Sequence, residues 1–197
     1  MTNRTIAWPF GAILFVLVLA GCQPQQQVVV TDKPYFDLVG LLDEQLAMFG
    51  QEHPQLNKST QLDGESEQYS TTLDSSGWEE EMAFFMAADL NKPILLDAYE
   101  ESVEETGDAA VTVYTPKQKK HNGVQRMEIH FADGALEKVV IETLDKNALF
   151  TTDRHLELNF EWKGETMRLT DYVVSGTQKM IMKDSLPYRI QGTLLYP

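Results

Sequence analysis

RHLELNFEWKGETMRLTDYVV, residues 154–174, is the stretch whose reading decides the fold. Leu156, Leu158, Phe160 and Trp162 alternate with Glu157, Asn159 and Glu161. A period of two puts the apolar set on one side of a strand and the polar set on the other. Lys163-Gly164 then predicts a turn into a second strand over Glu165 to Val174. The unit is an antiparallel hairpin with one apolar face, and that face needs a cover.

The same grammar extends in both directions. Upstream, Met127, Ile129 and Phe131 alternate with Arg126, Glu128 and His130, and Asp133-Gly134 turns the chain into Leu136 to Leu144. Val111 and Val113 begin an earlier strand that Pro116 ends. Glu100 to Asp108 holds five carboxylates in nine residues and reads as a solvated loop. Downstream, Ser175-Gly176 is expected to turn the chain into Gln178 to Met182, and Tyr188, Ile190 and Leu194 close the series.

The first part of the domain has a different period. Leu38, Leu41, Leu42, Gln45 and Phe49 fall on one side of a helix expected from about Tyr35 to His53, with Pro54 beyond it. Asp63-Gly64 between two β-prone stretches predicts a hairpin, because both central positions of that turn want φ > 0. Ser76 and Glu79 have capping-box spacing for a second helix. Trp78, Met82, Phe85 and Met86 give that helix an apolar face, Pro93 ends it, and Ile94 to Tyr99 has room for another helical turn. The expected class is α+β: a meandering antiparallel sheet of about six to eight strands, covered on one face by two amphipathic helices, with curvature up to a half-barrel. Residues 34–197 form one domain, and no solenoid repeat is present.

Residues 1–22 carry an address. Arg4 precedes an apolar run from Ile6 to Ala20, which is too short and too interrupted by Pro9 and Gly11 for a comfortable membrane span. Leu19-Ala20-Gly21-Cys22 follows. The run resembles the lipobox of bacterial lipoproteins, in which the Cys receives a diacylglycerol and the leader is removed. The resemblance implies a signal peptide over 1–21, a lipidated Cys22, and a flexible tether over 22–33; the alternative is an uncut single-pass anchor. Cys22 is the one cysteine in the chain, so no internal disulfide is available to the domain. The tether of about ten residues spans roughly 30 Å at full extension, which keeps the domain near its membrane. Gln23 stands where enteric lipoproteins retained at the inner membrane carry Asp, so analogy favours the outer membrane, facing the periplasm.

The rest of the chain is similar to small lipoproteins of the Bacteroidota. The similarity rests on Tyr35-Phe36-Asp37-Leu38, Trp78-Glu79-Glu80-Glu81, Asp89-Leu90-Asn91-Lys92-Pro93 and Tyr188-Arg189-Ile190-Gln191-Gly192. It implies a location in the Gram-negative envelope and a fold, and it carries no catalytic residues.

Charge narrows the partners. Sixteen basic residues face thirty acidic ones, and only Arg4 lies in the leader, so fifteen basic residues remain against thirty after Gly21. Such a surface repels nucleic acid and anionic headgroups, which excludes nucleic acid as a partner. His53, His121, His130 and His155 are not paired at ligand spacing, so neither a metal nor another cofactor is expected. No nucleophile elbow or phosphate-binding glycine loop occurs, and Ser75 and Ser76 are explained as helix caps. Asp153 and His155 share a strand face, and a hydrolase would need them to converge with a Ser or Thr. Asp145-Lys146-Asn147 opens like a calcium loop but lacks that loop's Gly and closing Glu.

These readings lead to a membrane-anchored, non-enzymatic binding or accessory protein of the envelope, held to the membrane through lipid and able to engage an envelope protein. A second reading is a carrier of a hydrophobic ligand. Its groove between sheet and helices would be lined by Trp78, Phe85, Phe160, Trp162 and Met167, with Phe84, Tyr172, Met127, Met180 and Met182 nearby.

Overall fold

The computed structural model describes residues 33–118 and 122–197, so Cys22, the expected signal peptide over 1–21 and His121 lie outside the described residues. The chain runs α1 (Leu38–Glu52), β1 (Gln55–Leu62), β2 (Glu65–Thr72) and α2 (Ser75–Ala87), then a 3-10 turn at Pro93–Leu95. Seven strands follow: β3 (Tyr99–Thr106), β4 (Ala109–Pro116), β5 (Gly123–Ala132), β6 (Ala135–Lys146), β7 (Phe150–Lys163), β8 (Thr166–Met180) and β9 (Ser185–Leu195). The nine strands form one antiparallel sheet in the order β2-β1-β9-β8-β7-β6-β5-β4-β3, and the sheet is not closed into a barrel. β3 to β9 are a plain meander, and the β1–β2 hairpin joins it through β9.

One face of the sheet carries the core. Met127 pairs with Ile141, Ile141 with Leu156, and Leu156 with Val174. The next row runs Ile129, Val139, Leu158 and Tyr172, ending at Gly192. Helix α1 lays Leu38, Leu41, Leu42 and Phe49 on this face, and α2 adds Trp78, Met82 and Phe85. The Phe49 and Trp78 rings meet at 4.5 Å, and Phe85 stands edge-on to Tyr172 at 6.0 Å. Burying each such side chain contributes about 1.5–3 kcal/mol, so the described residues hold a core sufficient for one domain. Every residue of the core cluster lies between Tyr35 and Leu194.

Gln45 is the one polar residue on the buried side of α1. β9 pairs with β8 only as far as Asp171, which leaves the edge of β8 open over Met167 to Leu169. Gln45 closes it: its amide NH₂ donates to the Met167 carbonyl at 3.2 Å, and its carbonyl accepts from the Leu169 N–H at 2.8 Å. A helix side chain thus stands in for a missing strand.

Three sequence expectations are corrected. Glu100 to Asp108 is not a loop. Tyr99–Thr106 is the edge strand β3, exposed on both faces beyond Tyr99, so it shows no alternation to read, and its carboxylates discourage edge-to-edge pairing. Ser175-Gly176 is not a turn, because β8 runs through it unbroken. A Cβ on Gly176 would lie 2.1 Å from the Asp153 carbonyl oxygen and 3.0 Å from the Tyr188 hydroxyl, so the glycine is there for close approach. The cap of α2 is Asp74, which accepts from the Gly77 N–H at 2.8 Å, and Ser75 and Ser76 lie inside the first turn. Asp63-Gly64 and Asp133-Gly134 do turn with positive φ at both positions, as their hairpins require.

Candidate functional site

The entry of the chain into the domain is tightly held. Asn91 accepts from the Tyr35 N–H at 3.1 Å and donates to the carbonyls of Tyr35 at 3.3 Å and Phe36 at 3.1 Å. The Tyr35 hydroxyl accepts from the Tyr99 N–H at 3.0 Å, and its ring packs edge-on against Tyr99 and Tyr114. Asp37 caps α1 by accepting from the Gly40 N–H at 2.9 Å. Burial, with Tyr35 beside it, pushes the Tyr99 hydroxyl up to about 12, so it stays protonated and donates to the Val124 carbonyl at 3.0 Å. Tyr-Phe-Asp-Leu and Asp-Leu-Asn-Lys-Pro, far apart in sequence, are two halves of one clasp.

Opposite the helices, the sheet presents a polar face. Glu128 stands between Arg126 and His130, with the His130 Nε2 at 2.9 Å. Glu157 receives Asn159 at 2.9 Å, Lys138 at 3.5 Å and His155 at 3.6 Å. Burial raises both carboxyls, but these neighbours together hold Glu128 and Glu157 below their ordinary value of 4.5. Successive i, i+2 residues on a strand share a face, so the network follows directly from the alternation. It neutralises part of the charge on the open face.

A shallow cleft of about 540 Å³ is lined by Glu142, Asp153, Arg154, His155, Ser175 and Tyr188, among others. His155 reaches toward Glu157, and no hydrogen bond joins it to Asp153 or Ser175. Arg154 is held between Asp145 and the Phe84 ring, 5.6 Å from its centroid. Asn147 accepts from the N–H groups of Leu149 at 2.7 Å and Phe150 at 3.0 Å, the Lys146 N–H donates to the Asn122 side chain at 2.6 Å and Asp145 pairs with Arg154, so Asp145-Lys146-Asn147 is the end of β6 and its turn. Among the described residues no group of three His, Cys, Asp or Glu side chains is placed to hold a metal ion. No helix there is long and apolar enough to cross a membrane.

Of the five residues predicted to line a groove, four lie in or against the core and one is exposed. Trp78, Phe85 and Phe160 are buried in the core, and Met167 packs against it. Trp162 is 48 % exposed at the end of β7, its indole N–H donating to the Leu136 carbonyl at 3.0 Å. Phe84 is on the exposed side of α2.

Sequence reasoning missed a surface formed at one end of the sheet. There the β6–β7 and β8–β9 turns line an open recess of about 1150 Å³ with Leu149, Met180, Ile181 and Met182 beside Lys146, Lys179 and Lys183. Met182 is 99 %, Leu149 70 % and Ile181 62 % exposed. The signal was present in Met180-Ile181-Met182-Lys183, where three apolar residues run together and alternation stops. Comparisons with protein-family models, with curated proteins and with solved structures found no match for this chain.

Proposed function

We propose that this chain is a lipid-anchored protein of the bacterial envelope that acts by binding, without catalysing a reaction. The observation that carries the reading is Leu19-Ala20-Gly21-Cys22 behind a short apolar run, with that cysteine the single one in the chain. The clasp on Tyr35 supports it, because a domain held by a tether of about ten residues needs a firm attachment where the tether enters. The histidines add support: His130 and His155 are committed to Glu128 and Glu157, and His53 closes α1. A carrier with a groove between helices and sheet has less support, since Trp78, Phe85 and Phe160 fill that space with their own side chains.

Cys22→Ser in the producing cell tests the anchor. The expected result is an uncut precursor and loss of metabolic palmitate label. Label that persists in the variant would overturn the reading. Protection of the domain from protease added to intact cells is the expected result for a periplasm-facing protein, and digestion there would count against that placement.

A further inference from the structure

We infer that the end of the sheet bearing the β6–β7 and β8–β9 turns is a second membrane contact, which lays the domain tips-down on an anionic bilayer. The inference goes beyond the lipid anchor and does not need it.

The strand directions put four connections at this end: those after β1, β4, β6 and β8. Of the twelve large hydrophobic side chains exposed among the described residues, seven lie here or on the adjoining segment 93–98: Leu62, Ile94, Leu96, Leu149, Met180, Ile181 and Met182. Folding does not require them at these tips, since a two-residue polar turn connects antiparallel strands as well. Met182 even holds the left-handed conformation, at φ 61, where glycine or asparagine would be less strained.

Charge selects the occupant. The recess is lined by Lys146, Lys179 and Lys183 against Asp63 and Asp184, a local excess of positive charge in a chain of net charge −14. Apolar side chains at a tip with lysines around them match a bilayer interface, where the apolar groups enter the acyl boundary and the ammonium groups meet phosphates. The overall negative charge does not prevent this. β8 is fifteen residues long, so the carboxylates of Glu161 and Glu165 at the β7–β8 turn lie roughly 45–50 Å away, several times the screening length of about 8 Å at physiological ionic strength. The tether favours the same orientation, because Tyr35 is clasped by Tyr99, at the start of β3 and therefore at this end.

The test uses residues 23–197, which contain the whole core and no cysteine. Met182→Cys and Glu165→Cys place one environment-sensitive fluorophore at the tip and at the far end of the sheet. With vesicles of phosphatidylcholine and phosphatidylglycerol, the label at 182 is expected to shift to the blue and the label at 165 to stay unchanged. Pure phosphatidylcholine vesicles should shift it less, and about 0.5 M salt should reverse most of the shift. Lys146→Glu, Lys179→Glu and Lys183→Glu together should weaken partition about tenfold or more, at roughly fivefold per lysine before screening. No shift at 182 with anionic vesicles, or an equal shift at 165, overturns the inference. Either result would leave the palmitate readout of Cys22 untouched, so the two readings fail separately.

Discussion

The hairpins of the sheet solve the same connection problem with two different chemistries. At the far end, Gly107-Asp108, Asp133-Gly134 and Lys163-Gly164 join their strands with short polar turns in which the glycine takes a positive φ. At the near end, the β6–β7 and β8–β9 turns expose Leu149, Ile181 and Met182 among lysines. The far turns, and Asp63-Gly64 at the near end, are what hairpin geometry asks for, whereas the β6–β7 and β8–β9 turns carry apolar surface that hairpin geometry does not explain. The contrast separates residues that hold the fold from residues available for contact.

That contrast can be broken where the sheet meets its helices. Lys58, Glu81 and Tyr172 form a partly buried cluster under α2, with Lys58 at 2.6 Å from Glu81 and the Tyr172 hydroxyl donating to the same carboxylate. Burial and Glu81 push the Tyr172 hydroxyl well above its ordinary value of 10.0, so it remains a donor. Glu81→Ala strands a lysine and a phenol, and a loss of about 3 kcal/mol in urea unfolding is expected. A comparable loss is expected for Gly192→Ala, whose Cβ would meet the Tyr172 ring at 2.2 Å, unless the ring can move aside. A change below about 1 kcal/mol in both variants would show that this layer is looser than its geometry.

Gln45→Leu keeps the volume and removes the amide. The Leu169 N–H and Met167 carbonyl lose their partner, and unfolding should become easier by about 1–3 kcal/mol. Next in size comes the far end of the sheet: Gly134→Ala, at φ 75, is expected to cost about 1 kcal/mol by thermal melting. At the near end, Leu149→Glu and Ile181→Glu should change stability by less than about 0.5 kcal/mol, because neither side chain is in the core. Equal sensitivity at the two ends would erase the distinction between scaffold and contact surface.

The smallest effect is a pH dependence. Glu128 and Glu157 sit below 4.5 in the folded state, so the unfolded chain binds more protons near that pH. Their contribution is fully present above 4.5 and is lost as the pH falls through their folded values. Urea midpoints between about pH 7 and about pH 3 should fall less steeply in Glu157→Gln than in the parent. An unchanged slope would mean the polar network gives this carboxylate no net advantage.

Much of this was legible in residues 154–174. Their alternation gave the hairpin, and the same period elsewhere gave the meander, because one-sided burial writes a period of two into a strand. The face of α1 was legible to the residue, Gln45 included. β3 was hidden because an edge strand exposed on both faces has no alternation. Gly176 misled because its role is to admit the Asp153 carbonyl and the Tyr188 hydroxyl, partners on other strands. The spacing of the groove residues said nothing about whether space remains between them, since packing density is not a property of spacing.

What the sequence determined by itself is local: the periods of the strands and helices, the Asp-Gly turns, and the tripartite start that resembles a lipobox. Each depends on residues within a few positions of one another. What the tertiary structure decided is the meeting of distant segments. Asn91 closes on Tyr35, Gln45 completes the edge of β8, and two turns far apart in the chain combine Leu149 and Lys146 with Ile181, Met182 and Lys183. Those meetings depend on the order and direction of nine strands, so the surface they create exists only once the sheet is formed.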